Sequence, residues 1–189
     1  MTRIAFLILC LMSCSANAAD AMGKLAINAM NIESIHGKFS QSRHIAVLST
    51  PIVSSGEFYY QRENGLRWHV SHPVESTLEI SYDKGIHLIN EDGEAKPVIG
   101  AELLTQLFLG LFSGNLDALL DIFDITEQDD ENAWQLHLTP KSDALRQHIS
   151  HVDIAGQNEN GVDAIKVIET SGDHNEIQLL EQQIKRSAE

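Results

Sequence analysis

Between Gly56 and Tyr82 the chain alternates apolar and polar residues in three successive runs. Phe58 and Tyr60 alternate with Glu57 and Gln61. Leu66, Trp68 and Val70 alternate with Arg67, His69 and Ser71. Leu78, Ile80 and Tyr82 alternate with Thr77, Glu79 and Ser81. A period of two marks strands with one apolar face and one wet face. Asn64-Gly65 signals a tight hairpin between the first two runs. His72-Pro73 is a looser break before the third. Three such strands form a meander whose apolar faces all point the same way.

The flanking pattern extends this picture. Met22, Leu25, Ile27 and Met30 fall near helical spacing, which predicts an amphipathic helix from Asp20, its cap, to Met30. Gly37 opens a long strand in which Phe39, Ile45 and Val47 share one parity, ended by Ser49-Thr50-Pro51. Ile86 and Leu88 form a further strand. Ala95 to Val98 is a short edge strand, because Pro97 has no ladder donor. The period then changes. Leu103, Leu104, Leu107, Phe108, Leu111 and Phe112 recur at helical spacing, and Leu116, Leu119, Leu120 and Phe123 follow a Ser113-Gly114-Asn115 corner. This predicts two short helices. The first is apolar around much of its circumference, which implies burial on more than one side. Strands resume at Phe123–Thr126, around Trp134, Leu136 and Leu138, over His148–Ile154, at Ile165 and Val167, and at Ile177 and Leu179. The charged tail from Glu181 reads as a frayed helix. The whole predicts an α+β, mainly β fold: an incomplete, half-open antiparallel β-barrel. An N-terminal helix and a central helical pair cover its apolar concave face. A closed barrel filled by side chains has no room for the apolar pair.

The chain of 189 residues is long enough for one domain with a sizeable core. Residues 1–18 have the form of a secretory signal: Arg3, an apolar run from Ile4 to Met12, then Ala16-Asn17-Ala18 before a cleavage site. The domain expected after export is 19–189. Leu11-Met12-Ser13-Cys14 also resembles a lipoprotein cleavage box, which would make Cys14 a lipidated residue. Both cysteines, Cys10 and Cys14, fall in this leader, so the mature domain has neither a disulfide nor a thiolate. Lys and Arg number 13 against 27 Asp and Glu, a formal net charge of −14. That balance argues against nucleic acid and against adsorption to an anionic membrane surface. It leaves open a lipid held in an apolar pocket.

Nine histidines raise the question of metal. The close pairs, His69 with His72 and His148 with His151, fall on predicted strands, where odd spacing sends side chains to opposite faces. No metal and no cofactor is expected. No catalytic elbow, phosphate loop, zinc-hydrolase helix or nucleotide fingerprint is present in the sequence, and the carboxylates are spread over turns and outer faces. An enzyme is not expected. Arg62 shares the parity of Phe58 and Tyr60. An arginine at the rim of an apolar concavity needs acceptors, and the carbonyls ending the central helices are candidates, against the plainer reading of a turn-flanking arginine in water.

One run of residues resembles a known family. His36-Gly37-Lys38-Phe39-Ser40-Gln41, Gly56-Glu57-Phe58, Arg62, Leu66-x-Trp68, Pro73-x-Glu75-Ser76 and Asp83-x-Gly85, followed by Trp134-x-Leu136-x-Leu138-Thr139-Pro140-Lys141, are similar in order and spacing to the outer-membrane lipoprotein carriers, LolA, in a divergent form. The resemblance implies a half-barrel with an apolar cavity for acyl chains. It implies a non-enzymatic shuttle in the periplasm of a Gram-negative bacterium, loaded by an inner-membrane transporter and unloaded to an outer-membrane receptor. In that family an arginine of an Arg-Pro-Asn segment latches the helical lid, and Arg62 falls at its position. Here the segment is Arg62-Glu63-Asn64, without the proline, and the chain stops soon after Leu180, so a related lipid is the alternative to lipoprotein cargo.

Shared parity nominates Phe58, Tyr60, Leu66, Trp68, Val70, Leu78, Ile80 and Tyr82 as the sheet side of the cavity. Leu103, Leu104, Leu107, Phe108 and Leu111 are its lid side. The expected protein is a monomeric carrier of lipoprotein acyl chains or a related lipid, with no nucleic-acid partner. The alternatives are an outer-membrane-anchored receptor lipidated at Cys14 and a lipid-directed hydrolase.

Overall fold

The computed structural model describes residues 21–89, 95–97, 102–129, 133–157 and 161–187. The leader with Cys10 and Cys14, the Asp20 cap and the Asp92-Gly93 turn lie outside the described residues, as do the side chains of Leu103 and Leu104. Helix α1 (Ala21–Met30) leads into strand β1 (Ile32–His44). A meander follows: β2 (Ile52–Gln61), β3 (Gly65–His72), β4 (Ser76–Ser81), β5 (Gly85–Ile89) and β6 (Ala95–Pro97). Helices α2 (Glu102–Ser113) and α3 (Asp117–Ile122) then cross to β7 (Phe123–Asp129). The chain continues through β8 (Ala133–Pro140), the short α4 (Asp143–Arg146), β9 (Ile149–Gln157), β10 (Gly161–Glu169) and β11 (His174–Arg186).

The strands form one antiparallel sheet, ordered β6-β5-β4-β3-β2-β1-β11-β10-β9-β8-β7. The first and last strands pair in its middle, and β6 and β7 are its edges, so the sheet does not close. Register aligns the apolar residues into rows across the strands. Tyr60 faces Leu66, Leu66 faces Ile80 and Ile80 faces Ile86. Phe58, Trp68, Leu78 and Leu88 form the neighbouring row. In the other half Leu136, Ile154, Ile165 and Ile177 do the same. Irregularities in the β1–β11, β2–β3 and β9–β10 ladders, at His36/Lys38, Ser55/Gly56 and Val162/Ala164, bend the sheet. All three rows, apart from the exposed Leu88, join α1 and α2 in one core cluster. Helix α1 rests on β7, β8 and β10, whereas α2 rests on β3, β4 and β5. This is the half-open barrel with helices on its concave face that the periodicity predicts.

Three local readings are corrected. Strand β1 begins at Ile32, not Gly37, and ends at His44. Ile45 and Val47 lie in the tip of the β1–β2 hairpin, and Val47 is 89% exposed. The ladder decides this: pairing runs to Arg43 with Ile52, so the chain must turn beyond it. The turn is held by Leu48 N–H on the Ile45 carbonyl at 2.8 Å and by Ala46 N–H on the Asp173 carboxylate at 2.9 Å. Second, the charged tail is strand, not helix. β11 runs to Arg186, and its charges meet partners across the ladder, Glu181 with Lys38 at 2.6 Å and Lys185 with Glu33 at 2.5 Å. Third, the turn after Pro140 contains α4, whose N–H at Leu145 donates to the Ser142 hydroxyl at 3.3 Å.

Candidate functional site

The inner face of β2–β5 meets α2 through aromatic rings. Phe39 stacks on Trp68 with centroids 3.8 Å apart. Trp68 reaches Phe58 at 5.9 Å and Phe108 at 5.7 Å. Phe112 lies 5.5 Å from Tyr60 and 5.8 Å from Phe58. These spacings suit offset and tilted ring pairs. Of the residues nominated from the sequence, Phe58, Tyr60, Leu66, Trp68, Ile80, Leu107, Phe108 and Leu111 are buried together, with Val70 and Leu78 packed at the margin. Tyr82 stands just past β4 at the rim, 53% exposed, its phenol oxygen 3.2 Å from that of Tyr60. Burial pushes the Tyr60 phenol far above the ordinary tyrosine value, and the hydrogen bond to Tyr82 adds to the shift. Helix α2 therefore fills the concavity as a plug.

Arg62 stands where the plug ends. Its Nε donates to the Ile32 carbonyl at 2.8 Å. One terminal nitrogen donates to the Ala29 carbonyl at 2.5 Å, and the other approaches the Ser113 carbonyl at 3.4 Å. Ala29 lies in the last turn of α1, and Ser113 is the last residue of α2. Neither helix has a basic residue in its own last turn. Helix C-termini leave carbonyls unpaired and carry negative partial charge, and a guanidinium offers five donors in a fixed fork. One side chain from the β2–β3 turn thus ties the start of β1 to the ends of both helices.

Close helix approach completes the arrangement. Gly114, just after α2, has φ +76°, and a Cβ there would run into the Ala26 carbonyl and the Ala29 methyl of α1. Beside it opens a cleft of about 590 Å³ lined by Met22, Ala26, Met30, Arg62, Tyr82, Leu116 and Leu120. That volume is within the range of about 300–1,000 Å³ usual for small-ligand sites. The sequence list omitted Phe112, although the same helical spacing contains it. It also missed the Ala29 and Ile32 carbonyls, which no side-chain pattern marks.

Of the histidines paired by sequence spacing, His69 and His72 lie on β3 and His151 on β9. His148 stands in the turn before β9, and His69 Nδ1 lies 3.0 Å from the Thr77 hydroxyl. Among the described residues no helix is long and apolar enough to cross a membrane.

An open antiparallel half-barrel plugged by helices is the class that this fold and site define. The family model of the outer membrane lipoprotein carrier protein LolA matches residues 30–189, and the chain belongs to that family. A search of the curated proteins found no match. Two solved structures that contain MucB share the fold. The MucA/MucB complex of Pseudomonas aeruginosa aligns at 14% identity and TM-score 0.52, covering 89% of this chain and 57% of that one. A MucB crystal structure aligns at 17% identity and TM-score 0.51, covering 93% and 62%. A LolA superfamily protein of Nitrosomonas europaea aligns at 7% identity and TM-score 0.46, covering 90% and 96%. The chain thus spans less than two thirds of the MucB chains it matches.

Proposed function

We propose that the protein is a periplasmic carrier. It binds the acyl chains of a lipoprotein, or of a related lipid, against the sheet in place of α2, and moves them from inner to outer membrane. The observation that carries this reading is the plug itself. An apolar helix fills the concave face of an open sheet, and one arginine holds its end by hydrogen bonds to carbonyls. Membership of the carrier family supports it. Arg62 acts as the latch, and the cleft beside it is where a chain enters. Residues 1–18 direct export, and the mature protein begins at Ala19 as a monomer without enzymatic activity. Its partners are an inner-membrane transporter and an outer-membrane receptor. The match to MucB bound to MucA raises a second reading, that the same half-barrel holds a protein partner.

Native mass spectrometry of the protein purified from periplasmic extract tests the reading. A lipid or lipoprotein adduct is expected on the wild type and absent from a folded Leu107→Glu variant, which sets a charge in a position only 3% exposed. An adduct retained by that variant would count against the cavity, and a purely proteinaceous adduct would favour the second reading. The same spectra give the N-terminus: a free Ala19 supports the soluble carrier, and an acylated Cys14 supports an anchored receptor.

A further inference from the structure

The outer face of β8 and β9 carries a group of side chains unrelated to the apolar site. His137 faces Asp153 across the ladder. His151 precedes Asp153 by two residues, so it projects from the same face. Leu136, Leu138, Val152 and Ile154 alternate with them and are buried inward. His137 Nδ1 lies 2.6 Å from one Asp153 oxygen, and His151 Nε2 lies 3.5 Å from the other. The two rings are 4.7 Å apart, and one ligand atom from each residue lies within 4.8 Å of the others.

We propose that His137, His151 and Asp153 form a binding site for a divalent transition-metal ion of the zinc class. Two imidazoles and a carboxylate suit such ions, whereas magnesium and calcium favour oxygen donors. Zinc binds imidazole nitrogen at about 2.0–2.1 Å and carboxylate oxygen at about 2.0–2.2 Å, with three protein ligands and an open fourth position. The His137–Asp153 contact has only to widen by several tenths of an ångström to admit the ion. An ordinary surface hydrogen bond explains that contact, but not the second imidazole turned to the same carboxylate. His151 is also oriented from behind: its Nδ1 lies 3.1 Å from the Ser150 hydroxyl, leaving Nε2 toward Asp153. Ligating histidines are commonly fixed through their other ring nitrogen in this way. Lys166, the register partner of Asp153 on β10, places its ammonium on Glu176 at 2.5 Å instead. The net charge of −14 further draws cations to the surface. The three side chains are 47%, 29% and 46% exposed, so an ion reaches them without unfolding.

A built-in control lies on the same sheet. His44 and His174 stack at 4.3 Å, and His174 Nε2 is 3.7 Å from Glu176. Glu176 is held by Lys166, whose hydrogen bond keeps its carboxyl below the ordinary glutamate value, and this group does not gather to ligand distance. The experiment is calorimetric titration of the tag-free chain with zinc chloride. One ion per chain is expected. His137→Gln, His151→Gln and Asp153→Asn each weaken binding by about tenfold or more, equivalent to about 1.4 kcal/mol. His174→Gln leaves it unchanged. Circular dichroism verifies that every variant is folded, and wild-type imidazole NMR signals of His137 and His151 should shift on titration ahead of the others. Absence of saturable binding, wild-type affinity retained in the His137→Gln or His151→Gln variant, or an equal loss in His174→Gln would each overturn the site.

Discussion

Arg62 gathers three carbonyl oxygens from three different segments, and its replacement leaves all three without a charged partner. Arg62→Leu is expected to destabilise the fold by about 1–3 kcal/mol, the usual penalty for stranding buried polar groups. The larger effect should be local, with faster amide exchange at the C-terminal turns of α1 and α2 than in the β1–β11 ladder. Arg62→Lys should recover only part, because an ammonium lacks the planar fork that spans separate acceptors. Denaturant titration with hydrogen-exchange mass spectrometry checks this, and unaltered exchange in both helices would rule out the latch. Tyr60 makes a second prediction. The unfolded chain ionises this phenol near about pH 10, while the buried phenol holds its proton to higher pH. Its contribution is complete below about pH 10 and is lost as pH rises toward the folded value, so stability falls on the alkaline side. Tyr60→Phe should flatten that alkaline limb while costing less than about 1.5 kcal/mol at neutral pH. An unchanged slope between pH 9 and 11 in thermal melts, a range bracketing the ordinary tyrosine value of about 10, would contradict the assignment.

Helix α2 and the β1–β2 hairpin show where sequence pattern suffices and where it fails. The strands from Phe58 to Ile80 were legible because their two faces meet different media, so period two survives in composition. The plug was legible because its apolar residues exceed one stripe. The hairpin tip was not. Ile45 and Val47 keep the parity of Phe39, and only the pairing of Arg43 with Ile52 reveals that the strand has already ended. Since Val47 is almost fully exposed, Val47→Ser should change stability by less than about 0.5 kcal/mol, whereas an inward strand residue would cost several times more. Gly114 tests the packing of α1 on α2. Gly114→Ala must both hold φ +76° and push against α1 backbone, whereas Gly85→Ala meets a similar φ of +72° with open space around it. The backbone penalty alone is about 1–2 kcal/mol. Equal losses in the two variants would mean that the close helix approach contributes nothing.

At the scale of the molecule, the candidate site depends on partners that one-dimensional pattern does not carry. Parity with Phe58 and Tyr60 left Arg62 as a turn-flanking arginine in water, and only the family resemblance nominated it as a latch; its acceptors at Ala29 and Ile32 are backbone atoms present at every residue. His137 and Asp153 become neighbours only through the β8–β9 register. Under the carrier reading, the sheet lets the plug be exchanged without loss of the fold. Its central β1–β11 and β1–β2 ladders hold both halves together independently of α2. A buried methylene is worth about 0.8 kcal/mol, so a long acyl chain gains on the order of 10 kcal/mol against this face. Displacing Leu107, Phe108, Leu111 and Phe112 exposes side chains worth about 1.5–3 kcal/mol each, a cost of the same order. The two nearly balance, and under the carrier reading that balance suits cargo that is handed on rather than kept. Under the carrier reading, adding a long-chain acyl ligand should therefore speed amide exchange in α2 while the β1–β11 ladder stays protected. A ligand that slows exchange in helix and sheet alike would be binding on top of the plug, not in its place, and would sink the exchange mechanism.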